Sequence, residues 1–139
     1  MITFFYILLF LIVLQRILEL FHARKNEKEM KRRGALEFGS GHYKWIVLLH
    51  VSFFVALLIE VPQLDGTFGV AWPFFLFLFI VAQIVRVWAL KSLGPYWNTK
   101  IIVLPGAEKI VRGPYRFLPH PNYLVVAVEI LALPMIFGA

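Results

Sequence analysis

Four long apolar runs dominate the chain, and charged or proline-rich segments separate them. The runs cover residues 2–21, 45–61, 68–90 and 121–138. Each is close to the roughly 17–25 residues that an α-helix needs to cross a bilayer. The pattern therefore predicts an all-α integral membrane protein with about four transmembrane helices, folded as a single domain over residues 1–139.

The first run and the polar stretch after it predict one long helix. The run reaches Arg16 without a charge and has no basic segment before it, so we expect a retained membrane helix rather than a cleaved signal peptide. The charged stretch 23–33 is expected to extend this helix into water. Gly34, Gly39 and Gly41 are then expected to turn the chain back.

Composition agrees with a membrane protein. Hydrophobic residues make up 60% of the chain and the mean hydropathy is +0.78, whereas soluble proteins are about 45–50% apolar. A chain of this length cannot bury so much apolar surface, so we expect lipid to cover it. Cysteine is absent, which excludes disulfides and thiolate metal sites, and the four histidines and eight carboxylates are too scattered to predict a metal centre.

The charge distribution predicts an orientation. The net charge is +6, which in a soluble protein would suggest nucleic acid as a partner. Here seven Lys/Arg lie in residues 23–44 and five in 91–116, while 62–67 holds none. The excess of basic residues in cytoplasmic loops places segments 22–44 and 91–120 in the cytoplasm and the N-terminus outside, with no nucleic-acid role.

The segment 91–120 does not have the composition of a linker. It contains the strings LGPYW, IIVLPG and RGPYRF, in which aromatic residues alternate with lysine and arginine. Two β-branched runs on either side of Pro105-Gly106 predict a small hairpin, with helix as the alternative. Rings and cations together are typical of a membrane-interface belt and also of a ligand site, and composition leaves both open.

The order of residues before the last apolar run favours a site. His120 stands between Pro119 and Pro121, which restrict the backbone and hold the imidazole in an extended segment. Pro121 suits the first position of a helix, because its missing N–H is not needed there. The next amides, near Asn122 and Tyr123, would then form a helix start that can bind a carboxylate or another anionic group.

The string GPYRFLPHPNY (113–123), with LGPYW before it, resembles the isoprenylcysteine carboxyl methyltransferase family of membrane enzymes, in its short bacterial branch. The resemblance implies S-adenosylmethionine as methyl donor and a cofactor-binding segment between the third and fourth helices, facing the cytoplasm of a bacterial cell. It implies O-methylation of a lipophilic acceptor that enters from the bilayer. The acceptor would be a prenylcysteine-type carboxylate or the hydroxyl of an alkylpyrone- or alkylresorcinol-type lipid. The residues that it implies for the cofactor are Val111, Gly113, Tyr115, His120, Pro121 and Tyr123.

Two positions depart from the family pattern. Pro119 stands where the family has arginine, which removes a cation that could pair with a carboxylate. The family continues through another membrane helix to a Glu-Glu motif, which the sequence up to Ala139 does not contain. We expect a chain without that motif to bind the donor poorly and to be inactive alone.

Ionisable residues inside the apolar runs are candidate functional groups. Glu129 could deprotonate or orient the acceptor, or form a structural pair with Arg86 or Gln83, and the sequence leaves these open. Arg86 is expected to snorkel to the cytoplasmic interface, with binding of an acceptor anion as the second role.

For the remaining polar residues of the first two apolar runs, the sequence predicts structural roles. Arg16 and Glu19 are expected to pair at i,i+3, and His50 to be a hydrogen-bonded packing residue. Asn26, Glu37, His42 and Tyr43 lie in the first cytoplasmic segment, where most are expected on a solvated face and some could close over the cofactor site. The alternative to a methyltransferase is a small non-enzymatic membrane subunit or scaffold, in which the His-Pro-x-Tyr string is an interfacial anchor.

Overall fold

The described residues of the protein form four α-helices and two very short strands. The computed structural model describes residues 1–34, 36–38, 40–93, 101–103, 114 and 121–139, and of these it gives only the backbone path for 36–38, 40–43, 101–103 and 122. The helices are α1 (Ile2–Arg32), α2 (Ser40–Glu60), α3 (Trp72–Leu93) and α4 (Pro121–Phe137), with a 3-10 turn at Val61–Gln63. The strands are β1 (Leu36–Phe38) and β2 (Ile101–Val103).

The helices confirm the predicted fold class. By length and composition, α1, α2 and α3 can each cross a membrane, and α4 is a shorter apolar helix. The strands are an addition to this bundle: β1 and β2 pair antiparallel, with Leu36 opposite Val103 and Phe38 opposite Ile101. This pairing ties the connection after α1 to the segment after α3. The second strand of the predicted hairpin falls outside the described residues.

The longest helix, α1, continues well past its apolar part. Its 31 residues give a length of about 46 Å, against roughly 30 Å for the hydrocarbon core of a bilayer. The helix continues through the charged stretch up to Arg32, as the sequence predicts. The position of these turns outside the membrane stays a prediction. Gly34 follows with a φ of 91°, a left-handed conformation that glycine adopts at helix ends. The prediction for Gly41 is wrong, because α2 already begins at Ser40 and includes it.

The apolar core lies at the end of the bundle away from the charged part of α1. It is built from the start of α1, the end of α2, the middle of α3 and the end of α4. The rings of Phe5 and Phe137 meet edge to face there, with centroids 4.9 Å apart. Outside this core many large apolar side chains are exposed, as expected of lipid-facing surface. The buried core residues are Phe5, Leu9, Ile12, Leu57, Val61, Phe79, Ala132, Leu133, Ile136 and Phe137.

A close backbone contact joins the start of α3 to the end of α4. The amide of Gly69 donates a hydrogen bond of 2.9 Å to the carbonyl of Ile136. Residues 70–71 form a turn, and α3 begins at Trp72 rather than at the start of the apolar run. Pro73 then occupies the first turn, where it costs no hydrogen bond.

Replacing Gly69 with alanine is expected to lower the free energy of unfolding by roughly 1–3 kcal/mol, the usual cost of overfilling a packed contact. A Cβ at this position would collide with the carbonyl oxygen of Met135 and approach the amide nitrogen of Gly138 to 3.2 Å. Thermal or denaturant unfolding of the purified protein measures the change. Gly66→Asn is the matched control, because Gly66 has open space and a left-handed φ that asparagine tolerates. Equal stability of the two variants would contradict the contact.

Candidate functional site

The string GPYRFLPHPNY (113–123) is called the motif below. It leads along the sequence into α4, which begins at Pro121 as predicted. The ring of Pro121 is fully buried, while Tyr123 is 57% exposed. The first amides of any α-helix lack intrahelical acceptors, so the start of α4 offers N–H donors. Four of the six predicted cofactor residues lie outside the described part of the chain: Val111, Gly113, Tyr115 and His120.

The buried face of α4 runs from Pro121 through Val125 to Glu129 at helical spacing. Glu129 lies eight residues after Pro121, which is about 12 Å along the helix axis. The carboxylate is therefore on the same face as the start of α4 and deeper in the bundle.

Two donors from other helices already hold the Glu129 carboxylate. The amide of Gln83 on α3 donates to Oε1 at 2.6 Å. A guanidinium nitrogen of Arg16 on α1 donates to Oε2. The predicted structural pair with Gln83 is confirmed, and the cation that pairs with Glu129 is Arg16 rather than Arg86.

Arg86 is buried in an ion pair with Glu19, which connects α3 to α1. Its Nε lies 2.7 Å and 3.0 Å from the two carboxylate oxygens of Glu19, and its Nη2 donates to Oε2. Arg86 is 5% exposed and Glu19 is 7% exposed. The prediction that Arg86 snorkels to the interface is wrong, because Glu19 neutralises its charge inside the bundle.

The two ion pairs form one charge cluster of Arg16, Glu19, Arg86 and Glu129. Nη1 of Arg16 lies 3.8 Å from Oε2 of Glu19, which confirms the predicted i,i+3 pair and joins the two bridges. Two positive and two negative side chains make the cluster neutral. Its members come from three helices that the bilayer would surround, where an unpaired charge is very costly. The charge cluster therefore fixes the relative positions of α1, α3 and α4.

His50 on α2 lies close enough to interact electrostatically with Arg16, Glu129 and Arg86. Its packing role stays a prediction. Within the described residues, no group of three or more His, Cys, Asp or Glu side chains could hold a metal ion.

The buried face of α1 continues into its charged extension. Asn26 is buried, which excludes the first of its two predicted roles, a place on a solvated face, and its Nδ2 lies 3.1 Å from Nε2 of His22. Ala23 and Met30 are buried on the same face. The extension is therefore packed within the protein on one side and does not simply project into water.

Comparison with known proteins identifies a family whose pattern covers α4 and most of α3. The model of the isoprenylcysteine carboxyl methyltransferase (ICMT) family matches residues 75–139, a region that contains the whole motif and α4. The chain is 44% identical over 135 residues to the uncharacterized protein YpbQ of Bacillus subtilis (strain 168), covering 97% of this chain and 80% of YpbQ. It is 24% identical over 112 residues to an uncharacterized protein of Haemophilus influenzae, covering 80% of this chain and 65% of that protein. No solved structure matches.

Helices of membrane-spanning length, with this match over residues 75–139, define the protein as a membrane protein of a class that suggests methyltransferase activity. The chain belongs to the isoprenylcysteine carboxyl methyltransferase family.

Proposed function

We propose that the protein is an S-adenosylmethionine-dependent methyltransferase that O-methylates a lipophilic acceptor at the membrane. The observation that carries the proposal is the family match over residues 75–139, because it includes the whole motif from Gly113 to Tyr123. The acceptor is either a prenylcysteine-type carboxylate or the hydroxyl of an alkylpyrone- or alkylresorcinol-type lipid. The basic residues of segments 22–44 and 91–120 support a site on the cytoplasmic face of the bacterial cell membrane.

The start of α4 suits the carboxylate of the methyl donor. The buried ring of Pro121 fixes where the helix begins, and helix-start amides and the positive end of the helix dipole favour an anion. His120 comes directly before this helix and would donate a further hydrogen bond to the donor. Tyr123, in the first turn of the helix, would also contact the donor. Val111, Gly113 and Tyr115 would complete the binding site for the methyl donor. When bound, the cofactor supplies a methyl group activated by a sulfonium charge.

The acceptor oxygen decides what the other side chains must do. A carboxylate is already a nucleophile and needs only to be oriented, whereas a hydroxyl must also lose its proton. For a hydroxyl we propose that Glu129 takes this proton, and for an anionic acceptor that Arg86 pairs with it. Gln83 and Arg16 hold the Glu129 carboxylate, and Glu19 holds Arg86. Each proposed role therefore requires one of these contacts to break when donor and acceptor are bound.

The purified protein in lipid nanodiscs is expected to bind S-adenosylmethionine and S-adenosylhomocysteine saturably, with about one ligand per chain, but with low affinity because residues 1–139 contain no Glu-Glu motif. At a ligand concentration 100 times the Kd, binding should stabilise the folded state by about 2.7 kcal/mol and raise the melting temperature. Calorimetric titration and thermal unfolding measure both effects. Adenosine, which lacks the carboxylate, is the control and should bind more weakly.

YpbQ, at 44% identity, serves as a parallel sample in the same titrations. Absence of binding by both proteins would reject the methyltransferase and leave the membrane subunit or scaffold as the function. Membrane lipids are the remaining partners that we propose, and the distribution of basic residues between apolar runs gives no reason to add nucleic acid.

A further inference from the structure

The charged extension of α1, residues 22–33, carries a recess of about 710 Å³ on its surface. Its volume lies within the roughly 300–1,000 Å³ of small-molecule sites. Four basic side chains and one carboxylate line the recess, which gives it a net charge of +3 and favours an anionic ligand. The charged residues that line this basic recess are Lys25, Lys28, Glu29, Arg32 and Arg33.

We propose that the basic recess binds the head group of an anionic phospholipid of the surrounding leaflet, with Lys25 and Lys28 in contact with its phosphate. The acyl chains of this lipid stay in the bilayer. The lipid is a bound partner and not the methyl acceptor. The inference therefore does not rest on the proposed function, and it assigns a role to side chains outside both the charge cluster and the motif.

Two cations of the recess are available for such a ligand. The two carboxylates of the extension are both paired with other basic residues: Glu27 with Lys31 at 2.8 Å, and Glu29 with Arg33 at 3.4 Å and Arg32 at 3.5 Å. Within the described residues, no carboxylate forms an ion pair with Lys25 or Lys28, and both are exposed. Like charges one helical turn apart repel each other, so an anion between these two lysines would stabilise the extension.

The helical spacing places these cations on one face. Lys25, Lys28 and Arg32 stand at positions i, i+3 and i+7, which share one side of a helix. Lys25 and Lys28 can therefore approach the same phosphate. Arg32 lies seven steps beyond Lys25, roughly 10 Å further along the axis. Its guanidinium extends the positive field of the recess into water.

The height of the recess matches the head-group layer. Glu19 of α1 contacts Arg86 of α3, and the two helices run parallel from the apolar core. Phe21 and Trp88, each two residues further on, therefore lie at about the same height, and they are 63% and 46% exposed. An exposed tryptophan at a helix end is typical of the membrane–water interface. Lys25 lies four residues beyond Phe21, about 6 Å along the axis, and the head-group layer is roughly 5–8 Å deep.

This height favours a lipid over a soluble anion. The acyl chains of a phospholipid hold its phosphate at the level of Lys25, so its effective concentration there far exceeds that of a phosphate in solution. The cytoplasmic leaflet, on the side where the sequence places the extension, is the one that carries anionic lipids. In phosphatidylcholine the choline group offsets the phosphate charge, so this lipid should bind more weakly.

Native mass spectrometry of the purified protein, titrated with phosphatidylglycerol or with phosphatidylcholine of the same acyl chains, tests the proposal. The first phosphatidylglycerol should bind about 30-fold more tightly than the first phosphatidylcholine. Lys25→Gln/Lys28→Gln should abolish this preference, because a basic residue near the membrane surface contributes about 1 kcal/mol and 1.4 kcal/mol is tenfold in affinity. Lys25→Arg/Lys28→Arg should keep the preference, because both charges remain.

Arg24→Gln/Lys31→Gln is the matched control, since it removes two charges from the same extension at positions outside the recess lining. It should retain most of the preference for phosphatidylglycerol. An equal loss in the two glutamine double variants would show diffuse attraction to the whole extension and would overturn the proposal. A protein that binds the two lipids equally would overturn it as well.

Glycerol phosphate, which is the head group without acyl chains, and a polyglutamate peptide are the competitors that test other occupants. Neither should displace the bound phosphatidylglycerol. Displacement by glycerol phosphate would assign the recess to a soluble anion, and displacement by the peptide would assign it to an acidic protein, so either result would reject the lipid. No methyl donor is present in these titrations, and their outcome is independent of the proposed function.

Discussion

Replacing Glu19 with leucine is expected to lower the free energy of unfolding by about 3–5 kcal/mol, the usual cost of breaking a buried ion pair. The variant leaves the guanidinium of Arg86 buried without its carboxylate partner. The double variant Glu19→Leu/Arg86→Met should recover most of this loss, because it removes both charges and fills the space with apolar atoms. Unfolding of the purified proteins in detergent, followed by circular dichroism, gives the three values.

The exposed pair of Arg33 and Glu29 provides the matched control. Its atoms are 3.4 Å apart and the side chains are 57% and 47% exposed, so Glu29→Leu should change stability by no more than about 1 kcal/mol. A Glu19→Leu variant that is as stable as Glu29→Leu would show that water or lipid headgroups reach Arg86. A double variant no better than Glu19→Leu would show that the loss comes from packing and not from the unpaired charge.

His120→Ala is expected to weaken binding of S-adenosylhomocysteine roughly 10- to 100-fold. A hydrogen bond to a charged group contributes about 1.5–3 kcal/mol, and each 1.4 kcal/mol changes a dissociation constant tenfold. Insertion into the membrane should be unaffected, because the apolar runs determine it. Calorimetry on the two proteins in nanodiscs measures the affinities, and protease accessibility of the loops checks insertion.

His50→Ala is the companion variant for that measurement. His50 lies beside the charge cluster in α2, so its loss should affect the melting temperature more than the affinity for the cofactor. Unchanged affinity in His120→Ala would place the donor site elsewhere. Loss of binding in both variants with loss of the melting transition would show misfolding rather than a specific contact.

The sequence predicts the helices well because the apolar runs themselves determine them. α4 begins at Pro121, where the proline and the change of composition place it. The pairing of β1 with β2 could not be predicted, since it joins segments more than 60 residues apart whose short runs carry no specific register.

The site was only partly predictable for a similar reason. Glu129 and Gln83 are recognisable as polar residues in apolar runs, and their contact was among the alternatives. The fate of Arg86 was not, because nearness to a loop along the sequence says nothing about a carboxylate on another helix. The contact could have been found by comparing how far each charged residue lies along its own helix. Arg16, Glu19, Arg86 and Glu129 lie at similar heights in the bundle and therefore meet.

The charge cluster also has a consequence for the order in which the protein assembles. α1 is synthesised first and carries Arg16, whereas the carboxylate of Glu129 arrives only with α4, after α2 and α3. Neither charge is fully neutralised in lipid until the two helices meet, and this gives α4 a specific reason to dock on α1. The first helix of the chain thus helps to hold in place the helix that begins at Pro121.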